Sequence, residues 1–437
     1  MTRQILYFCA PFLTALPALA AAATTAFSGA TILPIADEPI ENGVLVIEDE
    51  RILALGPAGD VDIPGDAKRV ELEGGVIMPG LVDTHSHIGG VAGGDASDPI
   101  QPAARVLDSI DVRDSGFGRA RAGGITTANL MPGSGLLMSG QTLYVKLRDG
   151  NTIGELAYKN EDGTYAGGMK MANGTNPIGE PPFPGTRAKS AALVRQRFID
   201  AIEYGRKIEQ AGGDEEKMPE RDLGKEALLE VLNGERVVHF HTHRHDDILT
   251  ALRLHDEFGF RIVLHHVSEA HRVADEIAEA GVPVSLILVD SPGGKLEAMH
   301  LNFKNPPIME QAGVDVAFHT DDYITDSRLL LRMGAFGVRS GMSREGALEA
   351  LTLAGARMLG LDERVGSLEP GKDADFVILS GDPFSVYTRV LETWVEGEKV
   401  FDLDDPEDRE VAEGAYGAMQ PSFATQHGFD GYGEGHR

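Results

Sequence analysis

Two histidines separated by one residue, His85 and His87, close an apolar run of the sequence. Side chains of a β-strand alternate between its two faces, so both imidazoles point the same way if this run is a strand. Two neutral imidazoles on one face can bind a zinc ion at about 2.0–2.1 Å. The spacing is a weak signal by itself, because two polar histidines at the end of a strand give the same pattern. The pair is a candidate metal site that needs further ligands.

Further ligand types follow other apolar runs. Histidines alternate after the run at 236–238, two histidines end the run at 261–264, and two carboxylates follow the run at 314–320; these residues are His239, His241, His243, His245, His265, His266, Asp321 and Asp322. Each group stands where a strand would end. The spacing from His241 to His266 corresponds to about one strand–helix unit, and the spacing from His266 to Asp321 to about two. Histidines and a carboxylate therefore recur at one rim of a predicted sheet.

The elements that must position these groups alternate between strand-like and helix-like segments. Strand candidates end near these eight residues: His87, Asn129, Lys146, Met171, His241, His266, Val289 and Thr320. Helical patterns cover 188–208, 247–258 and 270–280. Eight strand–helix units over roughly 250 residues are typical of a TIM barrel, whose active sites lie at the carboxyl ends of the strands.

Short strands are predicted at both ends of the chain, at 30–35, 43–47 and 51–56, and again at 375–379 and 393–397. This order predicts an α/β protein: a TIM (β/α)8 barrel at 79–361, with a small β-sandwich domain formed from 24–78 and 362–402. The acidic, Gly-rich tail at 403–437 is predicted to be a loosely packed extension.

Two stretches carry a resemblance to the amidohydrolase superfamily. GVIMPGLVDTHSH at 75–87 is similar to its first-strand motif, and VGSLEPGKDADFV at 365–377 is similar to the segment that returns the chain to the small β-domain. The similarity extends over nearly all of the chain after residue 23, and the nearest branch resembles imidazolonepropionase-related and Xaa-Pro-dipeptidase-like members.

The resemblance implies a set of metal ligands. His85 and His87 match the first-strand pair, and Asp321 matches the eighth-strand aspartate. His241 matches the fifth-strand histidine, with His243 next, and His266 matches the sixth-strand histidine, with His265 next. Lys170 resembles the fourth-strand lysine whose carboxylated form bridges two metal ions, although glycines precede it where the family has apolar residues. The cofactor is expected to be a divalent metal, with zinc preferred; Mn, Fe and Co remain open.

The chemistry of such a centre is hydrolysis. A divalent metal lowers the pKa of its bound water from 15.7 toward about 7, so hydroxide is present at neutral pH, and the metal also polarises a carbonyl. Asp321 could take the proton of the nucleophile and return it to the leaving nitrogen, which leaves poorly unless it is protonated. The sequence therefore favours hydrolysis of a C–N bond in an amide, cyclic amide or dipeptide.

Several polar residues are candidates for binding the substrate. Lys295, Glu297 and His300 lie beyond the predicted seventh strand and could bind charged ends of a substrate, although a solvated loop explains them equally well. Arg187 could bind a carboxylate or form a surface salt bridge. His243 is both a substitute ligand and a substrate-binding candidate.

Two alternatives to this function stay open. A mononuclear deaminase or an imidazolonepropionase-like hydrolase would bind one ion, and the state of Lys170 separates it from a binuclear enzyme. An exported protein that binds a metal or ligand without turnover has no need of a base at Asp321. TIM barrels host many chemistries, so the fold does not decide between these readings.

Composition excludes some partners. The 39 Lys+Arg against 68 Asp+Glu give a formal charge of −29, which repels nucleic acids and anionic membranes. The one cysteine, Cys9, excludes a thiolate zinc site and an internal disulfide. The expected partner is a small-molecule amide or peptide, and homo-oligomer formation is left open.

Residues 1–23 have the pattern of a secretory signal peptide, with Arg3 before an apolar stretch at 5–16 and small residues at Ala18 and Ala20. An uncleaved membrane anchor is the alternative, which the short, proline-interrupted stretch disfavours. Cleavage would remove Cys9, and a cysteine-free chain suits an oxidising compartment. The protein is expected to be periplasmic or secreted, without membrane contact after cleavage.

Overall fold

The computed structural model describes residues 23–72, 74–288 and 295–414 of the 437-residue chain. The strands of this part, numbered along the chain, are β1 (Thr24–Ile32), β2 (Ile40–Glu48), β3 (Arg51–Pro57), β4 (Lys68–Glu71), β5 (Val76–Pro79), β6 (Leu81–Ser86), β7 (Ile125–Leu130), β8 (Met138–Gln141), β9 (Leu143–Lys146), β10 (Met169–Ala172), β11 (Val238–Thr242), β12 (Ile262–His266), β13 (Val284–Leu286), β14 (Val316–Phe318), β15 (Phe376–Leu379), β16 (Val390–Val395) and β17 (Glu398–Asp402).

The α-helices of the described residues lie mainly between these strands. They are α1 (Ser115–Ala122), α2 (Ile153–Leu156), α3 (Arg187–Ala211), α4 (Leu223–Leu232), α5 (His245–Phe258), α6 (Ala274–Glu279), α7 (Asn305–Gln311), α8 (Leu330–Arg339), α9 (Arg344–Leu351), α10 (Leu353–Leu359) and α11 (Pro406–Glu413). Short 3-10 helices cover Val106–Asp108, Ala270–Arg272, Leu296–Ala298 and Ser327–Leu329. Within the described ranges, no helix combines the length and the hydropathy needed to cross a bilayer.

One sheet joins the two ends of the described chain. Its strand order is β17-β16-β15-β5-β1-β2-β3, and β4 pairs with β1. Three aromatic rings fill its core: Phe27 lies 5.2 Å from both Phe376 and Trp394, measured between ring centroids. Such aromatic pairs stabilise packing by about 0.5–1.5 kcal/mol each beyond the area that they bury.

Two further sheets contain the strands that carry the candidate ligands. Strands β10, β11, β12, β13 and β14 follow one another as parallel neighbours in a six-stranded sheet, and β6 is parallel to β7 in a three-stranded sheet. The ends of β6 and β14 are joined, because the backbone N–H of Asp321 donates to the carbonyl of His85 at 2.9 Å. Since parallel strands end at the same edge of a sheet, the candidate residues that follow them come together.

The third of the eight predicted barrel strands, which ends at Lys146, is antiparallel to its neighbour, whereas a TIM barrel has parallel strands. Strand β9, which ends at Lys146, pairs antiparallel with β7, and β8 pairs antiparallel with β10. Lys146 therefore lies at the start of β7, where its Nζ is 2.5 Å from Asp373 and 3.0 Å from Asp375. An apolar run does not encode the direction in which its strand is paired, so the pattern could not distinguish these arrangements.

The chain immediately after 402 is also more ordered than expected. Helix α11 begins after Asp405, whose side chain accepts from the backbone N–H groups of Glu407 and Asp408, and Pro406 occupies its first turn. Val411 of this helix packs with Phe401 in a small hydrophobic cluster. This helix was not predicted from the sequence, although an N-cap aspartate followed by proline is a helix-start signal; none of its residues is buried, and the loose packing of the extension stays a prediction. Residues 415–437 lie outside the described part.

Candidate metal centre

Three potential ligand atoms and the nitrogen of a buried lysine converge at the end of β6. The Nε2 atom of His85 lies 3.3 Å from His87 Nε2, 3.1 Å from Lys170 Nζ and 3.3 Å from Asp321 Oδ1. Asp321 Oδ1 is also 2.9 Å from His87 Nε2. Four ligands at about 2.0–2.1 Å from a tetrahedral ion stand about 3.3 Å apart, so the spacing of these atoms fits a metal ion between them.

The hydrogen bonds of His87 support this fit. Its Nδ1 lies 2.7 Å from the carbonyl oxygen of Met131, which can only accept a hydrogen bond, so Nδ1 carries the proton. In the neutral imidazole, Nε2 then presents a lone pair toward the carboxylate of Asp321, which is also an acceptor. Two acceptors 2.9 Å apart need a proton or a metal ion between them. Donation of the second ring N–H to a carbonyl is the usual support of a metal-binding histidine.

Local backbone structure places His85 and Asp321. His85 is the penultimate residue of β6 and His87 follows the strand directly, and their Nε2 atoms stand 3.3 Å apart. Asp83, on the same strand, accepts hydrogen bonds from the backbone N–H groups of His85 at 3.2 Å and Thr320 at 3.1 Å and from the Thr320 hydroxyl at 2.5 Å. Asp321 then adopts a left-handed backbone conformation with φ of 52°, which is uncommon for a residue other than glycine. Burial raises the pKa of Asp83 to about 7.

A second group of imidazoles lies beside the first. His241, His243 and His266 offer ligand atoms within 4.8 Å of one another, and all three residues are buried. His241 Nδ1, His243 Nε2 and His266 Nε2 have no hydrogen-bond partner within the protein. Buried polar atoms are normally hydrogen-bonded, so these unpaired nitrogens indicate a ligand that they share, and a cation suits them.

His319 is a buried residue of the centre that the sequence analysis did not single out. Its ring lies 4.9 Å from the ring of His85, and its Nε2 is 3.2 Å from His266 Nδ1. Its Nδ1 is 2.7 Å from the Ser285 hydroxyl. The signal was present, because His319 and Asp321 have the same i, i+2 spacing as His85 and His87. Residues 265 and 239 extend this buried group: His265 Nε2 lies 3.0 Å from His239 Nδ1.

Burial favours the neutral form of the His85 imidazole. Burial, together with the nearby charge of Lys170, holds the pKa of His85 well below its usual range. Burial also lowers the pKa of Lys170 to about 7, although Asp321 acts in the opposite direction. Burial would raise the pKa of Asp321, but its contact with His87 and the positive charges around it hold that pKa below its usual value. Neutral imidazoles beside an ionised carboxylate are the states that bind a metal.

The structure separates the candidate substrate-binding residues. Lys295 and Glu297 lie near His241, with Glu297 Oε1 3.8 Å from His241 Nε2. His300 lies apart from the ligands, with its Nδ1 2.9 Å from Glu269. Arg187 forms an ion pair with Asp247 at 2.9 Å, which corresponds to the salt-bridge alternative given for Arg187 in the sequence analysis. Of these candidates, His243 is placed in direct ring contact with His241, at 4.7 Å.

Comparisons with known proteins identify the family of the chain. A model of the amidohydrolase family matches residues 266–401. The crystal structure of an amidohydrolase from Thermotoga maritima is 34% identical with a TM-score of 0.80, and the match covers 86% of this chain and 100% of that one. The chain belongs to the amidohydrolase family. As an amidohydrolase, it is a metal-binding hydrolase that acts on carbon–nitrogen bonds of small molecules.

Other known proteins are similar over much of the chain. Amidohydrolase tasK of Hapsidospora irregularis is 29% identical across 85% of this chain, which spans 40% of that longer protein. The imidazolonepropionase of Erwinia tasmaniensis is 25% identical across 77% of this chain and 86% of its own length. A prolidase solved with N-methylphosphonate-L-proline shares the fold at 18% identity and a TM-score of 0.54, across 86% of this chain and 99% of that one.

Proposed function

We propose that this amidohydrolase is metal-dependent and cleaves the amide bond of a small amide, cyclic amide or dipeptide. The observation that carries the proposal is the convergence of His85, His87, Lys170 and Asp321, whose ligand atoms stand 2.9–3.3 Å apart in each contact given above. A solvated cluster of polar groups has no reason to be buried at this spacing, whereas a metal centre requires it.

Two ions fit the ligands. His85, His87 and Asp321 would hold one, and His241 and His266 would hold the other. Lys170 would bridge them as its carbamate; the burial that lowers its pKa to about 7 favours the neutral amine that carboxylation requires. A divalent ion in this place acidifies water and polarises a carbonyl oxygen. Zinc is our first expectation, because the ligands are imidazoles and carboxylates.

Asp321 is the proposed proton carrier. Its side chain is 18% exposed while that of His85 is fully buried, so the carboxylate is the reachable member of the pair. Its lowered pKa leaves it ionised at neutral pH, ready to accept a proton from the attacking water. As the C–N bond breaks, Asp321 returns that proton to the leaving nitrogen, which departs as a neutral amine.

The finer architecture and the location of the protein are part of the proposal. The parallel strands β6, β7 and β10 to β14 are proposed to close into a TIM-type barrel in which β8 and β9 take the third place. The strands of 24–78 and 362–402 are proposed to form a separate small β-domain. Residues 1–23 are proposed to direct export, so protein expressed with its own N-terminus should appear in the periplasm starting between Ala21 and Thr25; cytosolic protein that keeps residues 1–20 would contradict this.

Metal removal tests the function. The purified full chain would be treated with a chelator and assayed on N-acyl amino acids, dipeptides and small lactams, then reassayed after addition of zinc, manganese or cobalt. We expect amide cleavage to disappear on chelation and to return with at least one of these ions. Unchanged amide cleavage in protein shown to be free of metal would overturn the proposal.

A further inference from the structure

A polar cluster stands beside His241, outside the set of proposed ligands. Lys295 Nζ donates to Asn176 Oδ1 at 3.0 Å and lies 3.4 Å from Glu297 Oε1. The amide nitrogen of Asn176 is 3.3 Å from His241 Nε2, and Glu297 Oε1 is 3.8 Å from the same atom. The side chains of Asn176 and Glu297 therefore lie between the ammonium group of Lys295 and the proposed metal ligand His241.

Buried contacts fix the position of this ammonium group. Glu297 is 2% exposed, and its Oε2 accepts the backbone N–H of Thr175 at 2.5 Å. The anchored carboxylate draws Lys295 toward His241. An ammonium group has three donors, of which Asn176 engages one, and the Lys295 side chain is 35% exposed. Asn176 and Glu297 thus fix the position of the Lys295 ammonium group, which still has N–H donors for a ligand.

Arginines around the same loops make closer ion pairs than Lys295, which stands 3.4 Å from Glu297. Arg187 pairs with Asp247 at 2.9 Å, and Arg244 pairs with Asp246 at 2.8 Å. The chain as a whole has a formal charge of −29 and repels anions at long range. An anionic substrate therefore needs a cation close to the proposed metal ligands, and Lys295 stands beside two residues that lie near His241.

We infer that Lys295 binds the carboxylate of the substrate, which makes the substrate an N-acyl amino acid or a dipeptide with a free carboxyl end. The inference rests on the proposed amide hydrolysis and narrows it. A neutral lactam or nucleobase has no negative charge for the ammonium group of Lys295 to bind. Hydrogen bonds between ionised groups are about twice as strong as neutral ones, so the carboxylate sets both affinity and orientation.

The test compares each acid with its uncharged partner. Hydrolysis and binding of N-acetyl amino acids and of their primary amides would be measured with the metal-loaded full chain, by product assay and by calorimetry. The variants are Lys295→Met and Lys295→Arg, with Lys304→Met as the matched control on the exposed start of α7. We expect Lys295→Met to weaken binding of the acids about ten- to hundredfold and to leave the amides unchanged.

The kinetic pattern separates a binding role from a structural one. The loss should fall on KM, since the carboxylate contact is made before the chemical step, and Lys295→Arg should recover part of it. An equal loss for acids and amides in Lys295→Met, or no preference of the unmutated enzyme for acids, would overturn the inference. Selective binding of acids without any hydrolysis would contradict the proposed function while the role of Lys295 stands.

Discussion

The adjacent carboxylates of Asp321 and Asp322 have different surroundings. Asp321 meets His85 and His87 at the candidate centre. Asp322 points into a separate buried pocket, where it lies 3.4 Å from Arg119 and accepts from the Ser327 hydroxyl at 2.6 Å. One residue of sequence thus separates a carboxylate of the candidate centre from a carboxylate that pairs with Arg119 and Ser327.

Replacing these two residues gives opposite predictions. Asp321→Asn keeps the shape but loses the charge and basicity, so we expect kcat to fall at least about 10²-fold with a smaller change in KM. Asp322→Asn should keep kcat and lower the free energy of unfolding by about 1–3 kcal/mol, because it weakens buried hydrogen bonds. Steady-state kinetics and urea unfolding check both. An inactive Asp322→Asn beside an active Asp321→Asn would contradict the assignment.

Residue spacing predicted part of the centre. The sequence brought together the H-x-H pair at the end of β6, the histidines of β11 and β12, and the aspartate after β14. This was possible because strand alternation and strand ends can be read from sequence. The contacts of Arg187 could not be read, because its partner Asp247 stands on another helix, 60 residues away. His319 was overlooked although its spacing to Asp321 repeated that of the first pair. The catalytic and ligand roles themselves stay predictions.

Among the elements, β9 matters most for stability. Its antiparallel direction places a buried lysine, Lys146, at the end of the sheet opposite the candidate metal centre. Lys146 is fully buried, and it lies against Asp373, Asp375 and Glu396. Burial alone would lower the pKa of Lys146, but these carboxylates raise it. The cluster joins β9 to the loop before β15, and so ties the site-bearing strands to the terminal sheet.

Lys146→Met should therefore destabilise the fold. Asp373 keeps its ion pairs with Arg51 and Arg364, but Asp375 is left buried without its cation. Removing one partner of a buried ion pair typically costs about 3–5 kcal/mol. Urea unfolding at neutral pH measures this loss, and Lys207→Met on the exposed face of α3 is the control, expected within about 0.5 kcal/mol of the unmutated protein. Equal stability of the two variants would contradict a supporting role for this cluster.

Helices were predicted more reliably than strand direction. The patterns at 188–208 and 247–258 lie within α3 and α5, since amphipathic spacing is a local property. The pattern at 270–280 is divided into a 3-10 turn and α6, because Val273 interrupts the helix with a φ of −138°. The strand ending predicted near Val289 corresponds to β13, which ends at Leu286; Val289 lies outside the described residues.

At the scale of the whole molecule, buried histidines should make the metal-free protein sensitive to acid. Burial lowers the pKa of seven histidines below the usual value of about 6.5; these are His85, His239, His241, His243, His265, His266 and His319. Below that value the unfolded chain binds protons that the folded chain cannot, so stability falls as pH decreases. Each histidine contributes up to about 1.4 kcal/mol per pH unit, and the raised pKa of Asp83 offsets roughly one of them.

Thermal unfolding of chelator-treated protein between pH 7.5 and pH 5.5 measures this effect. We expect Tm to decrease progressively below about pH 6.5. Metal-loaded protein should have a higher Tm at pH 7.5, because bound ions stabilise the folded state. A Tm of the metal-free protein that stays constant or rises toward pH 5.5 would mean that these histidines are not buried and neutral.

The most direct measurement is the number of metal ions per chain. Inductively coupled plasma mass spectrometry of the purified full chain and of Lys170→Ala, together with amidase assays of both, tests whether the centre is metallic and whether Lys170 bridges it. The account predicts two divalent ions in the unmutated protein, one or fewer in Lys170→Ala, and a parallel loss of amide hydrolysis. One ion with full activity in both proteins would contradict the bridge, and an active enzyme that contains no metal would contradict the central claim.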